Sequence, residues 1–308
     1  MKIRRDIKLK KIYSILIAIA LCGTVLTSCS STETSSANTS GISNIPTGLT
    51  GSVNISGSSA LQPLVQAAAD ALKAVNADLS ITVNPGGSGT GLQNSYDKTV
   101  DIGNSDIFAE EKLDATKAAA LVDHQVCVVG VAAVVNPNVG VTNITTQQLI
   151  DIFTGTTKNW KDVGGKDKSI VIVNRPASSG TRALFKKYGL SGKTEATGTA
   201  LTDDNNGTIK QTVAQTEGSI SYLAFSYLTG TTVTALSIDG KKPTYDNVYS
   251  GAYSIWGYEH MYTYGEATGV AKSVIDFIKS PAFSQTMTDK GYGLISKMTV
   301  TRNSSSVK

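Results

Sequence analysis

The sequence predicts an α/β fold of about two domains, and three observations carry the prediction. Short apolar stretches are followed three times by a Gly/Ser-rich turn and the start of a helix, within Ser52–Leu72, Leu79–Lys98 and Ser169–Phe185. Val126–Val135 is a near-continuous apolar run, the pattern of a strand buried on both faces. The chain has 308 residues, of which the first 28 read as a leader, and the remainder exceeds one domain of ~150 residues.

The leader has a basic start (Lys2, Arg4, Arg5, Lys8, Lys10, Lys11) and an apolar core from Ile12 to Leu26. These are the marks of an export signal, and the core is short for a full membrane span. Leu26-Thr27-Ser28-Cys29 resembles the lipobox of bacterial lipoproteins, which implies cleavage before Cys29 and a lipid on its sulfur. Cys22 then leaves with the leader, so Cys127 stands alone and no intrachain disulfide is expected. Without the leader 22 Lys+Arg face 23 Asp+Glu, a near-neutral balance that argues against a nucleic-acid partner. Residues 30–50, rich in Ser, Thr, Asn and Gly, read as a flexible tether.

Ordered structure is expected from Ser52-Val53-Asn54-Ile55-Ser56, an alternating strand. Gly57-Ser58-Ser59 caps a helix from about Ala60 to Val75, with Leu61, Leu64, Val65, Ala68 and Leu72 on one face. Leu79–Val83 is a second strand, and the run Gly86-Gly87-Ser88-Gly89-Thr90-Gly91 opens a short helix, Leu92–Lys98. Val100 and Ile102 read as a short strand ending in a loop that carries Asp101 and Asp106; Ala109–Ala120 follows as a helix. After Val135, Asn136-Pro137-Asn138 signals a turn and a first candidate domain crossing. A helix from Thr145 to Gly155 and a surface loop holding Lys158-Asn159-Trp160 come next. Ser169–Val173 is a strand, Thr208–Thr216 a helix, and Ser219–Leu223 a strand leading back to the first domain. Tyr253–Tyr264 reads as strand, and Val270–Lys279 as an amphipathic helix stopped before Pro281.

The three strand–turn–helix junctions suit one chemistry, the grip of a small oxyanion. The first N–H groups of a helix have no intrahelical partner, and the macrodipole there favours negative charge. In Asn174-Arg175-Pro176-Ala177-Ser178-Ser179-Gly180-Thr181, Arg175 adds a planar fork of charge-assisted donors, Ser179 and Thr181 add hydroxyls, and Gly180 permits close approach. One such turn is equally well a plain helix cap; it is the threefold repetition that argues for binding. Asp106 beside an anion site makes sense if the ligand carries a proton, because an acceptor-only group favours a protonated anion and repels a fully ionised one. Asp106 would otherwise serve as the N-cap of the following helix. The glycine run lacks the spacing and the lysine of a P-loop, and no G-x-S-x-G elbow is formed.

At these junctions the chain resembles the PstS family, the phosphate-binding proteins of ABC phosphate uptake systems. The matching residues are Gly57-Ser58-Ser59-Ala60-Leu61, the Gly86–Gly91 loop, Asp101-Ile102-Gly103-Asn104-Ser105-Asp106, and Arg175 with Ser179-Gly180-Thr181. Phe153-Thr154-Gly155, Asn159-Trp160 and Gly218-Ser219-Ile220-Ser221-Tyr222 also match. The resemblance implies a two-lobed solute-binding protein of the type II periplasmic-binding-protein kind, each lobe a mixed sheet flanked by helices, joined by hinge strands. With it come boundaries: signal peptide 1–28, tether 29–50, first lobe 51–135 and 224–308, second lobe 136–223. It implies one bound phosphate with no metal or other cofactor, and ABC permease subunits and the membrane, through the lipid, as partners. Phosphate would be held by Ser59, Ala60, Leu61, Ser88, Asp106, Arg175, Ser179, Gly180 and Thr181, with alignment among Ser58–Leu61 open by one residue. Some members hold the arginine with a carboxylate two residues later; here that position is Ala177.

An extracytoplasmic phosphatase or serine hydrolase is the main rival reading. His124 and His260 sit in no recognisable catalytic setting, and Ser95-Tyr96-Asp97-Lys98 matches S-x-x-K without a companion motif. The same fold could also serve a binder of a different tetrahedral oxyanion, or an adhesion or signalling protein.

Overall fold

The computed structural model describes residues 42, 44–200, 204–230 and 232–304. The leader, Cys29 and the first part of the expected tether lie outside the described residues. Ile42, Ile45 and Leu49 pack against buried apolar side chains, and Asn76 ties this segment down through Leu49 N (2.8 Å) and Pro46 O (2.8 Å). Among the described residues no helix is long and apolar enough to cross a membrane.

The first lobe starts with β1 (Gly51–Gly57), α1 (Gln62–Val75), β2 (Leu79–Pro85), α2 (Ser88–Tyr96) and β3 (Ile102–Ser105). β1 lies between β2 and β3 and is parallel to both, as strands joined by crossover helices must be. α1 buries Leu64, Val65, Ala68 and Leu72 against that sheet, the face its periodicity predicted. α2 begins four residues earlier than expected, inside the glycine run. Glycine and threonine are weak helix formers, but Gly87 enters at φ +84 and tertiary contacts override the propensity. The helix expected over 109–120 is broken into a 3-10 turn, Ala109–Glu111, and α3 (Ala115–Ala119), which Asp114 caps through Lys117 N (2.9 Å). Asp106 is therefore not the cap of either.

β4 (Leu121–Val135) is the spine. From Leu121 to Gly130 it pairs antiparallel with β11, and from Val131 to Val135 it pairs antiparallel with β8. One strand thus joins both halves of the sheet, and every residue from Val126 to Val135 is buried.

The chain continues through β5 (Asn143–Ile144), α4 (Thr146–Phe153), β6 (Val171–Asn174), α5 (Gly180–Leu184), β7 (Thr199–Ala200), α6 (Asn206–Gln215), β8 (Ser219–Ala224), β9 (Thr234–Ala235) and β10 (Ser237–Ile238). α4 carries the capping box its sequence spells, with Thr145 and Gln148 bonding reciprocally. Trp160, expected in a surface loop, is buried, and its indole N–H donates to Gly218 O at 2.8 Å. An indole this large finds a core whenever its N–H can find an acceptor.

The chain closes with α7 (Tyr245–Tyr249), β11 (Trp256–Tyr264), α8 (Gly269–Lys279) and α9 (Ser284–Asp289). β11 sits between β3 and β4, antiparallel to both, so the sheet order is β2-β1-β3-β11-β4-β8-β6-β7, with β9 on the far half of β4. A β-bulge interrupts the β4–β11 register at Glu259/His260.

Candidate functional site

The ends of β1 and β3 and the start of α2 bring the first-lobe side chains together. Ser58, in the turn between β1 and α1, accepts the N–H groups of Ala60 (3.0 Å) and Leu61 (3.2 Å) on its Oγ, and its hydroxyl donates to Asp106 Oδ1. Asp106, just past β3, uses its own N–H to reach Ser88 Oγ (2.9 Å). Its second oxygen, Oδ2, accepts from Thr181 Oγ1 at 2.8 Å, across from the other lobe. Asp106 therefore takes one hydroxyl from each lobe.

β6 delivers Arg175 from the second lobe, 1% exposed. Its guanidinium has protein acceptors on all sides. Nε reaches Ser179 Oγ (2.9 Å) and Asp204 Oδ1 (3.0 Å). Nη1 reaches Asn206 Oδ1 (3.1 Å) and Tyr222 O (3.4 Å); Nη2 reaches Asp204 O (3.2 Å) and Oδ1 (2.5 Å). Burial pushes the Asp204 carboxyl above the usual range, while Arg175 and the Ser179 hydroxyl pull it back. Ser179 also caps α5 through Arg182 N (3.1 Å). Arg182 in turn pairs with buried Glu195 (3.3 Å), which accepts the Tyr222 hydroxyl at 2.7 Å. Burial, with the Glu195 charge, drives the Tyr222 phenol well up.

The two lobes meet over these residues. Ser59 donates to Asp204 O and accepts from Asn206 Nδ2 (3.0 Å), joining the start of α1 to the shell around Arg175. Gly89 N donates to Ser178 O at 3.0 Å, and Lys187 pairs with Glu111 at 3.3 Å. Two glycines make this approach possible. A Cβ on Gly180 would lie 2.0 Å from Ser88 Oγ and 3.0 Å from Asp106 Cβ. One on Gly87 would lie 2.7 Å from Asp204 Oδ2, in a backbone conformation that only glycine adopts freely.

All nine residues singled out from the sequence lie in the walls of this interlobe contact, but in two groups. Ala60, Leu61, Ser88, Asp106, Gly180 and Thr181 gather around the Asp106 carboxylate. Ser59, Ser179 and Arg175 gather around Asp204. Of three further participants, Asp204 and Asn206 escape the sequence reading. Ser58 was one residue from the expected hydroxyl, within the alignment left open. Asn206 and Asp204 come from a polar run, Asp203-Asp204-Asn205-Asn206, that looks like an ordinary helix start; its only legible signal was the cap, which Asn205 supplies through Gly207 N (2.7 Å). Asp204 stands in for the carboxylate missing at Ala177. Among the described residues no group of three His, Cys, Asp or Glu side chains could hold a metal ion.

Comparison with known proteins bears on this geometry. The PBP superfamily domain matches residues 32–282. The chain is 56% identical over 254 residues to the phosphate-binding protein PstS of Bacillus subtilis (strain 168), covering 82% of this chain and 84% of that protein. It is 26% identical over 214 residues to the phosphate-binding protein PstS of Borreliella burgdorferi, covering 66% and 75%. Among solved structures it resembles a phosphate ABC transporter substrate-binding protein from Clostridium perfringens, solved with bound phosphate. The TM-score is 0.72 at 32% identity, covering 80% of this chain and 100% of that one. An ABC-type phosphate transport receptor from Vibrio cholerae gives 0.62 at 27% identity, with 79% and 100% covered. An identity of 56% sustained over four-fifths of the chain, on a two-lobed fold of this order, makes the protein a member of the PBP superfamily and, within it, of the PstS family of phosphate-binding proteins.

Proposed function

We propose that this chain binds inorganic phosphate between its lobes and delivers it to the permease subunits of an ABC importer, working on the outer face of the cell membrane from a lipid on Cys29. The observation that carries the binding is the placement of Asp106 between the Ser58 and Thr181 hydroxyls, one from each lobe. An ionised carboxylate only accepts hydrogen bonds. A ligand that brings its own P–OH can donate to Asp106, while the two hydroxyls turn from the carboxylate to ligand oxygens. A fully ionised sulfate has no proton to offer and would face Asp106 unpaired.

The amides of Ala60 and Leu61, at the start of the 14-residue α1, converge on the same spot and add donors aligned with the helix dipole. Arg175 supplies the compensating charge, pre-oriented by Asp204 and Asn206. Its donors are shared with protein acceptors, so it acts on the ligand through Ser179 and through field as much as through direct contact. Hydrogen bonds to a charged group contribute about 1.5–3 kcal/mol each. A handful, less the cost of closing the lobes, reaches micromolar affinity, about −8 kcal/mol. Closure also changes the outer surface, which gives a permease a shape to distinguish loaded from empty protein. The names of the relatives support the phosphate and importer readings; the lipobox-like Leu26–Cys29 supports the anchor.

Calorimetric titration of the purified chain with phosphate, sulfate and molybdate tests this. Micromolar or tighter phosphate binding without sulfate heat is the expected result, and Asp106→Asn should weaken phosphate and admit sulfate. No heat with any oxyanion would overturn the binding reading. Turnover of a model phosphoester would favour a hydrolase.

A further inference from the structure

Glu259 is the one glutamate of β11, 0% exposed, and among the described residues neither of its carboxyl oxygens has a hydrogen-bond donor. An ionised carboxylate in that position would carry its full desolvation cost unpaired. Its place in the fold is set by strand register. His260 and Ser105 are the last pair of the β3–β11 ladder, and Glu259 and Asp106 are the next residues beyond it on the two segments. Burial apart, the Asp106 carboxylate is the charge that bears on Glu259.

The other titratable groups around Glu259 are Cys127 on β4, Tyr227 after β8, Tyr245 on α7 and Tyr292 after α9. None is a cation. The three phenol hydroxyls donate elsewhere: Tyr227 to Ser59 O (3.0 Å), Tyr245 to Gly291 O (2.8 Å) and Tyr292 to Ala60 O. Nor does the Cys127 thiol reach either oxygen, so among the described residues the donor left is a proton on Glu259 itself. An oxygen–oxygen contact between two carboxyls is attractive only when one of them is protonated.

We propose that Glu259 carries the single proton of a carboxyl–carboxylate pair with Asp106, donates it to Asp106, and so fixes the alkaline limit of anion binding at the interlobe site. The inference rests on the phosphate reading for its ligand, while the shared proton stands on the burial of Glu259, its unpaired oxygens and the end of the β3–β11 ladder. Asp106 holds the negative charge that accepts the ligand's proton, and Glu259 steadies it from behind without adding charge. When Glu259 loses its proton to solvent at high pH, the pair becomes doubly negative and repels an incoming anion. Burial and the neighbouring Asp106 charge, in that order, push Glu259 well above the ordinary carboxyl range, the direction that retains the proton.

The test compares phosphate affinity of the wild-type chain and Glu259→Gln from pH 6 to 10. Glutamine keeps a neutral donor beside Asp106, and the ratio of the two affinities cancels the titration of phosphate itself. The expected ratio moves in favour of the variant as pH rises, by up to about tenfold per pH unit. A ratio constant over the whole range would overturn the proposal. Carbon NMR of glutamate carboxyls in the unliganded chain reads the same proton without a ligand. One resonance should remain at the protonated position at pH 7, and Asp106→Asn should move its titration downward. Finding every glutamate ionised at pH 7 would overturn the pair. If neither protein bound phosphate, the phosphate reading would fall, and the NMR result would still decide on the proton.

Discussion

Asp204 grips Arg175 from 29 residues further along the chain, with Oδ1 at 2.5 Å from Nη2 and 3.0 Å from Nε. The position two residues after the arginine is Ala177, so the restraining carboxylate has moved from the arginine's own turn to the start of α6. Asp204→Ala leaves a buried guanidinium without its counter-charge, a loss of about 3–5 kcal/mol in such cases. Chemical denaturation should show that loss, and phosphate affinity should fall with it. Adding Ala177→Asp to Asp204→Ala should recover part of both. Recovery of neither would show that the carboxylate cannot act from the turn.

Ser58 and Ser59 are adjacent but belong to different groups. Ser58→Ala removes a hydroxyl from Asp106 and an acceptor from two amides, so affinity should drop about tenfold to a hundredfold, with little change in the folded baseline. Ser59→Ala cuts the link from α1 to Asp204 and Asn206, and should act mainly on closure. Solution scattering without ligand should find the Ser59 variant more open, and the Ser58 variant unchanged.

Gly180→Ala puts a methyl where Ser88 and Asp106 stand. The lobes cannot then meet as they do here. Phosphate titration should show at least a tenfold weakening, and scattering should show no compaction on adding phosphate. Normal closure in this variant would mean that the interlobe contact yields by more than an ångström.

Stability should fall as pH rises through the mildly acidic range. Glu259 and Asp204 both have carboxyls raised in the folded chain, chiefly by burial. In the unfolded chain they ionise near pH ~4. Between that value and their folded values the unfolded state holds fewer protons, so unfolding becomes easier with each step in pH. Glu259→Gln should flatten this slope. A urea series from pH 4 to 8 measures it.

Cys127 is a free, buried cysteine whose thiol burial pushes well up. Thiolate is the reactive form, so a thiol reagent should not modify the native chain and should react fully in denaturant. Fast native labelling would place Cys127 nearer to solvent than β4 allows.

The elements that sequence made legible are those whose signal is local. Alternation marked β1 and β2, an unbroken apolar run marked β4, and Gly-Ser turns marked the junctions that form the site. Arg175 and Asp106 could be singled out because their own neighbours advertise them. Partners chosen by tertiary contact could not. Asp204 looks like one of four polar residues before a helix, and Glu259 looks like the solvent-facing step of an alternating strand. Trp160 was misplaced for the same reason, since the loop around it is polar and its acceptor, Gly218 O, lies 58 residues away. The early start of α2 shows tertiary contacts outweighing glycine's reluctance to be helical.

The position of β11 between β3 and β4 also governs the order in which the molecule can be completed. Both neighbours are made before residue 136, while β11 arrives only at Trp256. A nascent chain therefore carries β3 with an open edge through the synthesis of more than a hundred residues, and such an edge is a template for pairing with another chain. The second lobe, whose strands β6 and β8 lie together in that interval, can form meanwhile on the far half of β4. A chain truncated before Trp256 would hold every residue of the Arg175 cluster yet lack the strand that backs Asp106.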